Sequence, residues 1–263
     1  MNFAIAPRLR RISHGVRGLF LGYNIFVDSD KLLLLDRVYQ SEYPSAKSFV
    51  DLGGVWKVNA AYSLYTLRRH PLDQGILVDT DYPSGLQERL SHTPHLHVIR
   101  GDFTSEHIMK SIGSVDVAYF FDVLLHQANP AWDQVLARYS SLASCIVIYN
   151  QQYVRGKTSV RLTHLPLGEY LAITHAREEI CRFVYAHANE LHPTYKKPWI
   201  DFHNIFQWAI TDEDLRAVMV KLGFREVYYQ NCGPFLNLPA FENHEFIYLR
   251  DQRQSSVQVG KPI

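Results

Sequence analysis

Three aspartates stand at the ends of short apolar runs, where side chains of this type can bind a polar ligand. Asp51, Asp79 and Asp102 each close such a run or follow one directly. In an open α/β sheet, the carboxyl ends of the strands form the crevice in which nucleotide-like ligands bind. Carboxylates there suit a ligand with hydroxyls, an exocyclic amine and a cationic part, whereas a pyrophosphate requires glycines, helix amides or basic side chains. The sequence therefore predicts a ligand of the first kind.

Two of the acids also have a purely structural interpretation, and the third has a competitor for its role. Asp51 precedes the glycine pair Gly53 and Gly54 and is also a favoured residue for capping a helix. Asp79 competes with Asp81 for the role of ligand acceptor, although the strand register favours Asp79. Asp102 lies in a Gly-Asp-Phe sequence that is also typical of a turn. These alternatives remain open at the level of sequence.

Two histidines are candidates for proton transfer. His126 follows an apolar run, and a neutral imidazole near pH 7 can remove a proton from a hydroxyl or an amine. A histidine in this position also commonly holds a loop by hydrogen bonding. His203 lies in an aromatic stretch and is a candidate general base or acceptor-orienting group. The other histidine pairs lack the spacing and the third ligand of a zinc site, so no metal is expected.

Alternating strands and helices must position these residues. Between 49 and 150 we expect five strands, at 49–51, 76–79, 96–99, 115–120 and 144–149, separated by helices at 56–70, 83–90, 104–113 and from Pro130. Thr104 is the expected cap of the third helix. Such alternation predicts a parallel sheet with helices on both faces.

The pattern changes after residue 150. Residues 151–208 are rich in aromatic side chains and show no clear strand, and 168–187 is expected to be one helix. A helix then begins near Thr211 and ends at Gly223. Two more strands are expected, at 225–229 and 244–249, joined by a loop with Gly233, Pro234 and Pro239. The expected total is then seven strands.

Composition narrows the class of protein. The 263 residues include 47% hydrophobic and 13% aromatic residues, enough for a substantial core, and the net charge of +1 offers no basic field for nucleic acid. The three widely spaced cysteines show no disulfide framework. No apolar segment reaches the roughly 18 residues of a spanning helix. We therefore expect a cytoplasmic protein without a membrane partner.

In order and spacing, the motifs resemble those of class I S-adenosylmethionine-dependent methyltransferases. They are Asp51-Leu52-Gly53-Gly54, Asp79, Gly101-Asp102-Phe103, Phe120-Phe121-Asp122-Val123-Leu124-Leu125-His126 and the later Leu222-Gly223-Phe224. The resemblance covers residues 45–150 and 205–250. It implies a Rossmann-like methyltransferase fold, with a mostly parallel seven-stranded sheet, helices on both faces and a helical aromatic cap insertion. It also implies a methyltransferase domain at 46–250 with the cap at 151–208. The residues themselves predict an N-terminal helical segment at 1–45 and a polar tail at 251–263.

The resemblance assigns cofactor roles to the motif residues. Asp51, Gly53 and Gly54 would form the loop beside the methionine moiety of S-adenosylmethionine, where glycines allow close backbone approach. Asp79 would accept the ribose hydroxyls. The remaining positions it assigns are Asp102 at the adenine amine, Phe103 against the base, and Phe121 with Asp122 near the methionine end.

The expected reaction is methyl transfer to an oxygen, nitrogen or carbon nucleophile of a small molecule, one that is aromatic or partly apolar given the aromatic cap. Val55 and Lys57 depart from the family pattern, since glycines are usual at both positions. Two alternatives remain. One is an NAD-dependent oxidoreductase on a similar sheet, although the first strand lacks a G-x-G-x-x-G loop. The other is a catalytically silent cofactor-binding or assembly subunit. The acceptor, the pathway and the oligomeric state stay open, with a homodimer as one option.

Overall fold

The structure, a computed structural model, describes residues 25–202 and 205–251. The chain divides into two compact units, one up to Asp116 and the other from Val117 on. Within the described residues, no helix combines the length and apolar content needed to cross a membrane.

The first unit alternates helices and strands. Its elements are α1 (Ser29–Arg37), a π-helical turn (Val38–Glu42), β1 (Ser48–Leu52), α2 (Ala61–Arg69), β2 (Gln74–Asp79), α3 (Leu86–Ser91), β3 (Leu96–Arg100) and α4 (Glu106–Ile112). Strands β1 and β2 are parallel, with Leu52 opposite Val78, and β2 and β3 are parallel, with Asp79 opposite Arg100. Apolar side chains of α3 and β2 pack together beneath the turn that follows β1. The carboxyl ends of the three strands therefore lie at one edge.

The second unit carries most of β4 (Val115–Phe121), the strand at which the two units divide. Its further elements are a 3-10 turn (Leu124–His126), α5 (Trp132–Tyr139), β5 (Ala143–Tyr153), β6 (Val160–Arg161), a second 3-10 turn (Leu162–His164), α6 (Leu167–Thr174), α7 (Glu178–Ala186), a third 3-10 turn (Trp199–Asp201), β7 (Trp208–Ala209), α8 (Asp212–Lys221), β8 (Phe224–Phe235) and β9 (Leu238–Arg250). Strand β9 runs antiparallel to both β5 and β8.

The seven long strands form one sheet in the order β3-β2-β1-β4-β5-β9-β8. The predicted mostly parallel seven-stranded α/β sheet with flanking helices is thus confirmed. The aromatic region after β5 folds onto β9, where Leu162, Tyr170 and Cys181 share a buried cluster with Phe241. The domain limits at 1–45, 46–250 and 251–263 stay a prediction.

The helix expected over 56–70 begins later than predicted. Lys57, Asn59 and Ala60 have φ values of 59°, 48° and 64°, which a right-handed helix does not accept, so α2 starts at Ala61. Residues 53–60 form a turn instead. The predicted Thr104 cap is also wrong, because Ser105 is the cap and its side chain accepts the Ile108 amide.

The cap insertion differs from prediction in two respects. The single helix expected over 168–187 is two helices, since His175 adopts φ 46° and ends α6. The region also contains strands, because β6 and β7 pair in a small second sheet and β5 continues to Tyr153.

The final hairpin is longer than predicted. Strands β8 and β9 extend through the expected loop, so that Gly233, Pro234 and Pro239 lie within strands. Irregular register around Asn231 and Pro234 accommodates the proline, which cannot donate to a ladder. The order of the seven long strands along the chain was therefore predicted correctly, while the two short strands, the division of the cap helix and several boundaries were not.

Candidate functional site

The turn between β1 and α2 closes onto the tip of β2. Gly53 has φ 75°, a conformation that favours glycine, and its amide donates to Val78 O at 2.8 Å. The Val55 amide donates to Asp79 Oδ2 at 3.0 Å. A Cβ on Gly54 would lie 2.6 Å from Asp51 Cγ, so glycine is required there for the close approach of that carboxyl group.

Asp51 points into the protein rather than outward. Its side chain is buried and accepts a 2.6 Å hydrogen bond from Ser63 Oγ in the first turn of α2. Burial raises the pKa of Asp51 to about 6, whereas the Ser63 bond and the charge of Lys31 lower it. Asp51 is not the N-cap of α2, which is Ala60. Ser63 and Lys31 were not singled out from the sequence, because only the fold brings them to β1.

Asp79 is held at the tip of β2 by backbone amides. Besides the Val55 amide, the Asp81 amide donates to its Oδ1 at 3.2 Å. Burial raises the pKa of Asp79, and neighbouring backbone amides oppose that effect by stabilising the charged form. Asp81, by contrast, has a largely exposed side chain that pairs with Arg100 at 3.3 Å. The fixed orientation of Asp79 favours it over Asp81 as a ligand acceptor.

Asp102 lies beside Asp79 and forms its own turn. The Gly101 amide donates to Asp79 O at 2.8 Å, which joins the ends of β2 and β3. Asp102 Oδ1 accepts the Thr104 amide at 2.9 Å and the Thr104 hydroxyl at 2.6 Å. Phe103 is buried next to it. The structure thus gathers Asp51, Asp79 and Asp102 at one edge of the first unit, and their ligand roles stay predictions.

The second unit contains the remaining motif residues. Phe121 ends β4 in a buried position, and Asp122 follows it with φ 56°. Asp122 Oδ1 accepts Gln151 Nε2 at 2.7 Å, and the same nitrogen lies 3.2 Å from Asn243 Oδ1. Gln151 and Asn243 were not singled out from the sequence. Their side chains meet because β5 continues beyond its predicted end and pairs with β9 there.

His126 ends the 3-10 turn after β4. Its Nδ1 lies 3.0 Å from Ile205 O, and because a carbonyl oxygen only accepts, Nδ1 carries the proton and Nε2 is the acceptor of the neutral ring. The ring lies against Phe206, with 5.5 Å between centroids. Burial lowers the pKa of His126, so the neutral form is favoured. This arrangement suits a base whose accepting atom is Nε2.

His203 lies outside the described residues, so its predicted role is untested. Within the described part of the chain, no group of three or more His, Cys, Asp or Glu side chains is placed to hold a metal ion.

Comparison with known proteins addresses the fold. No family model matches the chain, and no curated protein matches it either. The N-terminal domain of EvdMO1, solved in the presence of SAH and D-fucose, has a TM-score of 0.53 at 13% identity, covering 85% of this chain and 83% of that one. The 1,6-didemethyltoxoflavin-N1-methyltransferase of Burkholderia thailandensis, solved with 1,6-didemethyltoxoflavin and S-adenosylhomocysteine, has a TM-score of 0.51 at 11% identity, covering 84% and 79%.

Other solved structures are longer than this chain. It spans 55% of the mitomycin 7-O-methyltransferase MmcR, at a TM-score of 0.49. At 11–13% identity, the likeness to the first two structures concerns the fold, and it agrees with the strand order observed here. The chain therefore has the Rossmann-like fold of class I S-adenosylmethionine-dependent methyltransferases.

Proposed function

We propose that this protein is an S-adenosylmethionine-dependent methyltransferase that acts on a small molecule. The observation that carries the proposal is the carboxylate of Asp79, oriented at the tip of β2 by the Val55 and Asp81 amides. The two amides bond different oxygens of the carboxylate, and the Thr80 and Trp56 amides also stabilise its charge. An oriented, charged carboxylate can accept from two neighbouring hydroxyls. Asp79 therefore fits the adjacent hydroxyls of a ribose.

The same edge suits the rest of the cofactor better than it suits a dinucleotide. The turn after β1 contains Val55, Trp56 and Lys57 where a pyrophosphate would need a glycine-rich loop and helix amides. We place Gly53 and Gly54 near the methionine moiety, and Asp102 with Phe103 at the adenine. Asp51 would act from inside the protein, by accepting the Ser63 hydroxyl, while its carboxyl group occupies the space beside Gly54.

In the second unit, we assign His126 the role of general base. Bound S-adenosylmethionine would supply an electrophilic methyl group on a sulfonium. For a hydroxyl or amine acceptor, the proton lost on methylation would pass to His126 Nε2, the accepting nitrogen of the neutral ring. Phe121 and Asp122 would line the methionine end. The rate would come mainly from alignment and exclusion of water, which require few reactive side chains.

A small-molecule acceptor agrees with the net charge of +1, which provides no extended basic surface for nucleic acid. The toxoflavin methyltransferase of similar fold was solved with a small molecule, 1,6-didemethyltoxoflavin. The aromatic side chains of residues 183–202 favour an acceptor that is aromatic or partly apolar, because such ligands pack against aromatic faces.

Calorimetric titration tests the cofactor assignment. We expect binding of S-adenosylmethionine and not of NAD, and Asp79→Ala should weaken it by about 1–3 kcal/mol because a buried polar partner is lost. Asp81→Ala is the matched control in the same turn and should change affinity little, since its ion pair is exposed. Tight NAD binding without S-adenosylmethionine binding would refute the proposal.

Transfer of a labelled methyl group into a metabolite extract tests the activity. The protein should label a small molecule, and both Asp79→Ala and His126→Gln should reduce the labelling. Cofactor binding without any transfer would instead favour a catalytically silent cofactor-binding subunit.

A further inference from the structure

The loop at 124–128, which carries His126, is tied to the insertion that follows β5. The hydrogen bonds run from Gln207 N to Leu125 O (2.9 Å), from His126 Nδ1 to Ile205 O (3.0 Å), from Trp208 Nε1 to Gln127 O (2.7 Å) and from Arg161 Nη1 to Ala128 O (2.9 Å). Three carbonyl groups of the loop thus accept hydrogen bonds from the insertion, those of Leu125, Gln127 and Ala128. The orientation of His126 therefore depends on the insertion as well as on β4.

Arg161 connects these contacts to one another. Its Nη2 donates to Gln207 Oε1 at 2.9 Å and to Asp201 Oδ1 at 3.0 Å, and its Nε donates to Thr163 Oγ1 at 2.9 Å. The guanidinium also lies 5.3 Å from the centre of the Trp208 ring. One largely buried cation thereby fixes both residues, Gln207 and Trp208, whose N–H groups bond the loop.

The side chain of Gln207 extends the connection. It is fully buried, and its Nε2 donates to Phe202 O at 2.8 Å and to Ile200 O at 3.1 Å. Its Oε1 accepts from Arg161, so the side chain is held at both ends. Removing the guanidinium would leave Oε1 with only the Thr163 hydroxyl, at 3.3 Å, and would take this donor from the carboxylate of Asp201, a costly change that favours rearrangement.

We propose that Arg161 is a positioning residue for methyl transfer, which orients the His126 imidazole by tying the loop at 124–128 to Gln207 and Trp208. The assignment rests on the function proposed above, because it gives His126 its base role. Arg161 itself touches no reacting atom in this scheme. It keeps Ile205 O, the acceptor of the Nδ1 proton, aligned with the ring, so that Nε2 remains the accepting atom.

The first test reads the state of His126 without any turnover. Nitrogen-15 NMR of labelled protein distinguishes the two neutral tautomers, and His126→Gln identifies the signals. In the wild type we expect the tautomer protonated at Nδ1. In Arg161→Met we expect a mixture with the Nε2-protonated form, and a titration midpoint that rises toward the ordinary histidine value as the ring gains contact with water.

Matched variants separate positioning from general damage. Arg182→Met removes another arginine of the same insertion, one whose exposed partner Glu178 lies on α7, and should leave the His126 signals unchanged. Arg161→Lys keeps the charge but cannot make the forked set of bonds, so its effect should be intermediate. Should Arg161→Met fail to fold, Arg161→Lys and Asp201→Asn decide the question by the same signals.

Kinetics then connect the tautomer to the reaction. We expect Arg161→Met to lower kcat by roughly 100-fold, the scale of a small misplacement of a reacting group, with little change in the KM for S-adenosylmethionine. The acid limb of its kcat–pH profile should move to higher pH together with the NMR midpoint.

The outcomes are distinguishable. An unchanged tautomer and midpoint in the Arg161 variants overturns the positioning role, whatever the activity. A changed tautomer in a protein that transfers no methyl group leaves the link between Arg161 and His126 standing and refutes the proposed function. Full kcat in His126→Gln refutes the base role and, with it, the catalytic relevance of Arg161.

Discussion

At the scale of single residues, Asp51 illustrates how burial changes the chemistry of a carboxylate. It was expected beside the methionine moiety, yet its side chain is turned inward onto Ser63. Its pKa of about 6 lies above the value of 3.8 for an unperturbed aspartate, because burial disfavours the charge. The folded state therefore binds this proton more tightly than the unfolded state does.

That difference gives a prediction for stability against pH. The contribution of Asp51 to the free energy of unfolding is lost as pH rises from about 4 to about 6 and stays lost above pH 6. Asp51→Asn can still accept from Ser63 and should remove this dependence. The difference in free energy of unfolding between Asp51→Asn and wild type should therefore be about 1–3 kcal/mol more favourable to the variant at pH 7 than at pH 4. Urea denaturation at pH 4, 6 and 8 measures the gap. A difference between variant and wild type that does not change with pH contradicts the raised pKa of Asp51. Asp81→Asn is the control, because Asp81 belongs to an exposed ion pair.

At the scale of elements, the turn between β1 and α2 depends on the room beside Gly54. Gly54→Ala would place a methyl group 2.6 Å from Asp51 Cγ and should lower the free energy of unfolding by about 1–3 kcal/mol through overpacking. Gly168→Ala is the matched control, because its new methyl group meets no atom within 4 Å and alanine favours α6 by up to about 1 kcal/mol. Thermal unfolding of the two variants should shift in opposite directions. Equal shifts would show that the approach of Asp51 is not tight.

The break between α6 and α7 belongs to the same scale. His175 is exposed and adopts φ 46°, a conformation that costs a residue with a Cβ about 1 kcal/mol relative to glycine. His175→Gly should therefore raise the melting temperature. Ala172→Gly, at an exposed position within α6, should lower it by removing about 1 kcal/mol of helix propensity. If His175→Gly destabilises as much as Ala172→Gly does, the helices are continuous in solution, as the sequence first suggested.

At the scale of the whole molecule, cofactor binding should be visible as stabilisation. S-adenosylhomocysteine at 100 times its Kd should add about 2.7 kcal/mol to the free energy of unfolding, which corresponds to about 5–10 °C in melting temperature. Asp79→Ala, whose affinity is expected to be weaker by about 1–3 kcal/mol, should lose about 1–2.4 kcal/mol of this stabilisation at the same concentration, while Asp81→Ala keeps it. Differential scanning fluorimetry measures both. A shift that is equal in the two variants would place the ribose acceptor elsewhere.

The sequence by itself determined the order of the seven long strands and the acids at the strand tips. Short apolar runs that alternate with helical patterns predict a parallel sheet with helices on both faces. A strand that ends on Asp79 places this residue at the carboxyl edge of the sheet. The resemblance of those motifs to class I S-adenosylmethionine-dependent methyltransferases implied the fold, and the comparison with solved structures confirms it.

Tertiary structure alone decided which way the side chains turn and which distant residues they meet. Asp51 faces Ser63 because three residues with positive φ delay α2, and such conformations of ordinary residues leave no periodic trace in a sequence. Arg161 reaches Ala128 across 33 positions of chain, and Gln151 reaches Asn243 across 92. Contacts of that separation arise from packing rather than from local pattern, so only the folded chain assembles them.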